Sequence, residues 1–551
     1  MSMFIRFVSH IAAAGLVLPA GIGFAAPRIG TDESTFRASA PSPFASNCNG
    51  VPQTGTLYPH AEVEPFVAAN PRFPLNLVGV WQQDRWSDGG SNGIATGVSF
   101  DGGLTWRRVF QPYSRCAGGN AANGGDYERA SDPWISFSPN GVVHQMALTF
   151  SDHAPPDKPQ SAMLATRSLD GGRTWSRPIT LQADTSERFN DKNTLTADPT
   201  DSRYVYAVWD RLSFVPGEGA GPTLLARSVD NGAHWEAARI IYDPGVNAQT
   251  LGNRIEVLPD GTLVNLFTLI DYVTNAVTLQ VIRSSDKGRS WSAPIFVADL
   301  LALGAFDPET GTPIRDGAFL AQLAISRKGK ISAVWQDARF SGGMRDGIVL
   351  SESTDGGFSW SAPVQINRDP LVQAFTPSVH VRHDGTVGVT YYDLRSNTVD
   401  PATLLTDLWL TRSSDGITWR ESRASAAFDH ATAPFAYGLF LGDYQGLTSI
   451  GPLFVPFFVK TTGNLNNPTD VYAHLSLSGF LADAAAGSPK VEQQVAQEES
   501  RLPVMSVQGT GRAMPYVSQA MRAAIWRGFE RTMRARVPDW DVRHAVRSRP
   551  R

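Results

Sequence analysis

Cysteine is almost absent from this chain of 551 residues: there are two, Cys48 and Cys116, with ten scattered histidines. That excludes a disulfide-dense scaffold and a zinc framework. No metal and no cofactor is expected. Charge is sparse as well: 18% of residues are charged and the net charge is −4, so nothing global points to nucleic acid as a partner. Hydrophobic residues make up 42%, which is too many for a disordered chain. Beyond the N-terminus no run of about 20 apolar residues occurs, so no transmembrane span is expected.

What the chain does have is turns and aromatics. It carries 50 glycines, 37 prolines and 14 tryptophans, a composition of short, well-packed strands joined by tight turns. The N-terminal stretch reads as a signal peptide over residues 1–25. Arg6 gives a basic start, Ile11 to Leu18 an apolar segment broken by Pro19, and Gly23-Phe24-Ala25 a small-residue cleavage site. A secreted or periplasmic chain is therefore expected, in a compartment where Cys48 and Cys116 can pair. Such a bond closes a loop of nearly seventy residues and would contribute about 4 kcal/mol through chain entropy.

One octapeptide recurs. It reads Ser99-Phe-Asp101-Gly-Gly103-Leu-Thr105-Trp106, then Ser168-Leu-Asp170-Gly-Gly172-Arg-Thr174-Trp175. It returns as Ser228-Val-Asp230-Asn-Gly232-Ala-His-Trp235, Ser284-Ser-Asp286-Lys-Gly288-Arg-Ser290-Trp291 and Ser353-Thr-Asp355-Gly-Gly357-Phe-Ser359-Trp360. A sixth copy, Ser413-Ser-Asp415-Gly416-Ile-Thr418-Trp419, is one residue shorter. Successive copies lie 69, 60, 56, 69 and 60 residues apart, the size of a four-stranded propeller blade. The motif is hairpin-turn chemistry. Asp accepts from turn N–H groups, Gly takes the positive-φ position, and Trp plugs the adjacent apolar gap. Its aspartates are structural.

This repeat is the Asp-box, or BNR repeat, and the chain resembles the sialidase-like β-propeller superfamily. An all-β propeller is expected over residues 61–478. Six box-bearing units are followed by a further strand set at 444–451, 453–460 and 470–477, which gives seven blades by strand count, against six in catalytic sialidases. A segment within residues 26–60, near 51–60, is expected to supply the missing strand and close the ring. Residues 479–511 read as a linker. Residues 512–551 read as a basic helical tail, because Met521, Ile525, Phe529 and Met533 fall at i, i+4 spacing and ten arginines face three acids from 505 onward.

Topology points to one face. The boxes join third to fourth strands, so the starts of first strands and the ends of second strands gather on the opposite side. Second-strand ends read Trp81-Gln-Gln-Asp84-Arg85, Trp209-Asp210-Arg211, Trp335-Gln-Asp337-Ala-Arg339 and Tyr391-Tyr392-Asp393-Leu-Arg395. First-strand starts add Glu64, Asp132, Asp191, Lys192, Arg254, Asp316, Asp443 and Tyr444. Two readings stand. The Asp–Arg pairs bridge neighbouring blades, or the arginines converge on an anionic substrate, for which a guanidinium is well suited.

The sialidase resemblance sharpens this. It implies arginines on a substrate carboxylate, an aspartic acid/base, and a tyrosine nucleophile activated by a glutamate. By position Tyr444 matches the tyrosine, Asp84 or Asp88 the acid/base, and Glu64 is a candidate activator. The substrate-binding set is then Arg85, Arg211, Arg254, Arg339 and Arg395, with Asp132 and Asp443. The chain departs from the family where the first inner strand begins, since Val63-Glu64-Pro65-Phe66 lacks the expected arginine. The reading is a secreted, monomeric glycoside hydrolase acting on terminal acidic sugars of a glycan or polysaccharide. The alternatives are a non-catalytic propeller that binds glycan or protein, and a propeller enzyme acting on another polysaccharide.

Overall fold

The computed structural model describes residues 34–475 and 489–507, together with 523, 524, 526, 527 and 530. The expected signal peptide lies outside the described residues, as do Met521, Ile525, Phe529 and Met533 of the expected basic tail.

Within each unit the described strands pair antiparallel in up-and-down order, and a parallel contact of Ala61 with Thr469 links the first unit to the last. The first unit is Leu57–Ala69, Leu77–Trp86, Ser91–Ser99 and Arg107–Phe110. Five more follow on the same plan, with inner strands Arg129–Phe137, Arg188–Ala197, Ala248–Val257, Gln322–Ile325 and Ala374–Val381. The seventh set is Gly446–Ile450, Leu453–Asn464 and Asn467–His474. Its fourth strand is Thr35–Arg37, which pairs with Tyr472–His474. The 51–60 stretch expected in that place does something else, since its last residues open the inner strand of the first unit. Asp470 explains the choice: it accepts from Ser39 Oγ at 2.7 Å and pairs with Arg37 at 3.3 Å.

The octapeptides hold their turns as the motif demands. In the first copy Ser99 Oγ donates to Asp101 at 2.8 Å and accepts from the Gly103 N–H at 2.8 Å, and Asp101 accepts the Thr105 N–H at 2.9 Å. Neighbouring turns are also clasped to one another. Arg167, Arg227 and Arg283 each stand just before a box serine and donate to a carbonyl of the next box, on Asn231, Lys287 and Gly356. Five box tryptophans, Trp106, Trp175, Trp235, Trp291 and Trp360, are only partly buried, whereas the sixth, Trp419, is fully buried, as are Trp81, Trp209 and Trp335.

The 479–511 stretch is more than a linker. Within it Pro489–Arg501 is a helix whose Val491 and Val495, at i, i+4 spacing, are buried in the apolar cluster that includes Leu453 and Phe454. Val504–Ser506 then adds a fifth strand to the sixth unit.

Candidate functional site

The inner strands share a local irregularity that creates the site. In five units the register slips by a residue at the strand start, at Val63/Phe66, Ser131/Trp134, Asp191/Thr194, Leu251/Arg254 and Phe375/Ser378. The extra residue there has positive φ: Glu64 (53°), Asp132 (49°), Lys192 (46°), Gly252 (67°) and Thr376 (50°). The next residue is Pro or Asn each time, which suits a position where the ladder is broken. Left-handed backbone on a Glu, an Asp and a Lys is strained and persists only where surrounding contacts hold it. Here those contacts are the three side chains themselves.

Lys192 Nζ lies 2.7 Å from Asp443, 3.0 Å from Asp132 and 3.6 Å from Glu64. Arg315 also grips Asp443, through Nη2 at 3.0 Å and Nε at 3.2 Å. Arg85 donates to Gln82 Oε1 at 2.8 Å, and Gln82 Nε2 donates to Glu64 and to Ser131. The Arg85 and Arg315 guanidinia both stack on the Phe440 ring, at 4.8 Å and 4.3 Å. Glu64, Arg85, Asp132, Lys192 and Asp443 are all buried.

Burial pushes Glu64 up to about 8, and the neighbouring Asp132 and Asp443 charges add to this against Lys192. Burial would raise Asp132 too, but Lys192 and the Ser131 hydroxyl outweigh it and hold that carboxyl below its ordinary range. Burial and the nearby Arg315 bring Arg85 down to about 10, which leaves it a cation at neutral pH. Arg85, Lys192 and Arg315 thus share the cluster with Asp132, Asp443 and a Glu64 whose protonated form burial favours.

Above it opens a cavity of about 520 Å³, on the face opposite the octapeptide turns. Arg85, Asp132, Lys192 and Arg315 reach it from below, Leu148, Phe150 and Phe189 make an apolar wall, and Asp88, Asp152, His153 and Tyr437 stand around it. This size and mixture suit a small polar ligand. The lining comes from the first three units and a strap. The strap is a parallel pairing of Ile314–Arg315, in the connection leading to unit five, with Leu439–Phe440 before unit seven. Its closeness needs glycine. A Cβ on Gly317 would stand 2.1 Å from the Asp443 carbonyl oxygen, and one on Gly442 (φ 143°) 2.7 Å from the Glu64 nitrogen.

The sequence candidates thus separate. Glu64, Arg85, Asp132 and Asp443 come together, and Asp88 joins them at the cavity wall. Partial burial would raise Asp88, but hydrogen bonds from Arg129 (2.6 Å) and Thr54 (2.7 Å) hold it below the ordinary range. Asp84 is a joint instead. It accepts from Ser42 Oγ at 2.7 Å and from the His60 N–H at 2.9 Å, which ties the N-terminal segment down. Tyr444 is buried beside the cluster. Its hydroxyl donates to the Pro133 carbonyl at 3.1 Å, its ring meets Trp134 edge-on, and burial with the adjacent carboxylates pushes the phenol well up.

The remaining arginines do not line this cavity. Arg254 turns into the channel on the octapeptide side, against Glu256 (3.1 Å) and over Trp134. Arg211 stands 3.8 Å from Asp184. Arg339 holds Asp337 at 2.7 Å, and Arg395 holds Asp393 and Glu421. Trp335 and Trp409 donate their indole N–H to the same aspartates, and Arg339 also donates to the Asp299 carbonyl of the preceding unit at 2.5 Å, so Arg395 serves its own unit and Arg339 clasps two neighbours. Arg315, Arg129 and His153 are site residues that the sequence reading missed. None belongs to a repeated position.

Cys48 and Cys116 are bonded to one another. Their link fastens the N-terminal segment carrying Gln53 and Thr54 beside the cavity wall. Gln53 accepts from Arg129 Nε at 2.6 Å, and Thr54 donates to Asp88.

An all-β chain of up-and-down units with this repeated turn and a polar pocket opposite the turns resembles the sialidase-like β-propeller superfamily. A sialidase of Micromonospora viridifaciens is 26% identical over 262 residues, covering 43% of this chain and 36% of that protein, so the chain spans little more than a third of the curated relative it matches. No family model matches. Among solved structures, a Hadza microbial sialidase is similar at TM-score 0.43 and 16% identity, covering 72% of this chain and 76% of its own. A leech intramolecular trans-sialidase gives 0.42 and 12%, covering 74% and 84%. An α-L-arabinofuranosidase of Fusarium graminearum gives 0.40 and 11%, covering 65% and 92%.

Proposed function

We propose that this protein is a glycoside hydrolase built on a seven-bladed propeller, exported from the cytosol, which binds a terminal acidic sugar in the 520 Å³ cavity. The observation that carries the reading is the convergence of Arg85, Lys192 and Arg315 beneath that cavity, where burial favours the protonated form of Glu64. Three basic side chains at one floor suit an anionic sugar, for which guanidinium and ammonium groups are good partners. The paired Cys48 and Cys116 support export, since such bonds persist in oxidising compartments.

In this reading Asp132, ionised by Lys192 at the cavity floor, stabilises positive charge developing on the sugar ring. Tyr444 packs edge-on against Trp134 and does not line the cavity. One observation favours a second reading, a propeller that binds acidic glycan without cleaving it: the Tyr444 hydroxyl is turned to the Pro133 carbonyl, where a sialidase-type attack would need it in the cavity.

The test is a panel of 4-nitrophenyl glycosides that includes a sialoside, a uronide and an α-L-arabinofuranoside, run beside calorimetric binding of the free sugars. Cleavage of an acidic glycoside, lost in Asp132→Asn, supports the enzyme. Binding without cleavage of any member selects the second reading. Cleavage of neutral glycosides alone sinks the acidic-sugar assignment.

A further inference from the structure

At the cavity rim stands a histidine oriented by a buried carboxylate. His153 belongs to the loop between the second and third strands of unit two and lines the cavity beside Asp152. Its Nδ1 lies 2.9 Å from Glu128 Oε2, and its own backbone N–H donates to Glu128 Oε1 at 3.2 Å. Ring and backbone are thus both held by one carboxylate. The Glu128 side chain is only 2% exposed, whereas that of His153 is 40% exposed. Glu128 is itself braced by segments that the disulfide joins. Gln53 Nε2 donates to it at 3.2 Å, and Arg115, next to Cys116, stands 4.0 Å away.

A carboxylate facing Nδ1 places the proton there and directs Nε2 outward, which is how an imidazole is poised to exchange a proton with a ligand. The cations that would hold the sugar's carboxylate are at the bottom of the cavity, so the bond to the rest of the glycan faces the rim. Resting on the glycosidase reading, we propose that His153, positioned by Glu128, is the proton donor to the departing glycosidic oxygen. In the imidazolium form, with Nδ1–H on Glu128, the proton passes from Nε2 to that oxygen as the C–O bond breaks, and the bond's electron pair stays on the oxygen. Positive charge is left on the sugar opposite Asp132. Water then adds to the anomeric carbon and returns one proton to Nε2.

The experiment compares the 4-nitrophenyl and methyl glycosides of the sugar that the wild type cleaves, because a good leaving group needs no proton. In His153→Asn the amide still donates toward Glu128 but carries no titratable nitrogen. This variant should lose about 100- to 10,000-fold in kcat on the methyl glycoside and under about tenfold on the 4-nitrophenyl glycoside. Its Tm should be unchanged. Glu128→Gln should show the same dependence on leaving group in weaker form. Equal losses on both substrates, or none, overturn the assignment, as does the dependence appearing in Asp152→Asn in place of His153→Asn. A wild type that cleaves no glycoside overturns the glycosidase reading and this inference together. An active wild type with leaving-group-independent variants overturns only the inference.

Discussion

Lys192 Nζ lies 2.7 Å from Asp443 Oδ2 across 251 residues of chain, and this one contact joins the third unit to the seventh over the mouth of the axis. Both side chains are buried, so the pair stands or falls with its partners. Lys192→Met should destabilise the fold by about 3–5 kcal/mol, the usual cost of leaving buried charge unmatched. It should also abolish binding of acidic sugars in the fraction that remains folded. Chemical denaturation and calorimetry read the two effects separately. A variant as stable as the wild type would mean that Asp132 and Asp443 do not depend on this cation.

Glu64 makes stability depend on pH. Its ordinary value is 4.5, and in the folded protein it is raised to about 8, first by burial and then by Asp132. Folding thus holds a proton that the unfolded chain releases. The stabilisation is complete below about 4.5 and is lost as pH rises through about 8. Glu64→Gln keeps the shape and never ionises. The difference in Tm, variant minus wild type, should therefore grow more positive from pH 5 to pH 9. Asp346, likewise raised to about 8 by burial, is common to both proteins and cancels in the difference. A flat difference across that range would show that Glu64 titrates normally.

Tyr444→Phe should leave turnover within about tenfold of the wild type and cost on the order of 1 kcal/mol, the worth of one hydrogen bond to the Pro133 carbonyl. The sialidase resemblance makes the opposite forecast. A fall of several powers of ten with an unchanged Tm would establish the tyrosine as the nucleophile and displace Asp132 from the centre of the chemistry.

Arg395→Ala tests whether that side chain serves the fold or the ligand. It bonds Asp393 and Glu421, both at 2.6 Å, and stacks 3.6 Å over Trp409. Its removal should destabilise the sixth unit by about 3 kcal/mol or more, because two buried acids lose their cation. Sugar affinity per folded molecule should not change. Weakened affinity with intact stability would return Arg395 to the substrate-binding set.

The octapeptide turns and the face opposite them were legible in the chain alone. Their hydrogen bonds close within eight residues, from Ser99 to Trp106 for example, so the motif carries its own structure wherever it falls. For the same reason Glu64, Asp132, Lys192 and Asp443 were readable as strand starts on the polar face. Their meeting was not readable. It depends on a register slip in each inner strand and on ring geometry, which bring together residues as far apart as Glu64 and Asp443. Least legible was Arg315, which lies in an unrepeated connection between units and reaches the site only because Ile314–Arg315 pairs with Leu439–Phe440. Nor does spacing separate Arg85, which turns to Gln82 and the cavity, from Arg339 and Arg395, which turn back onto aspartates of their own units. Local hydrogen bonding wrote the repeat into the sequence, whereas the pairing of distant charges in a buried space was decided only when the sheets closed around them.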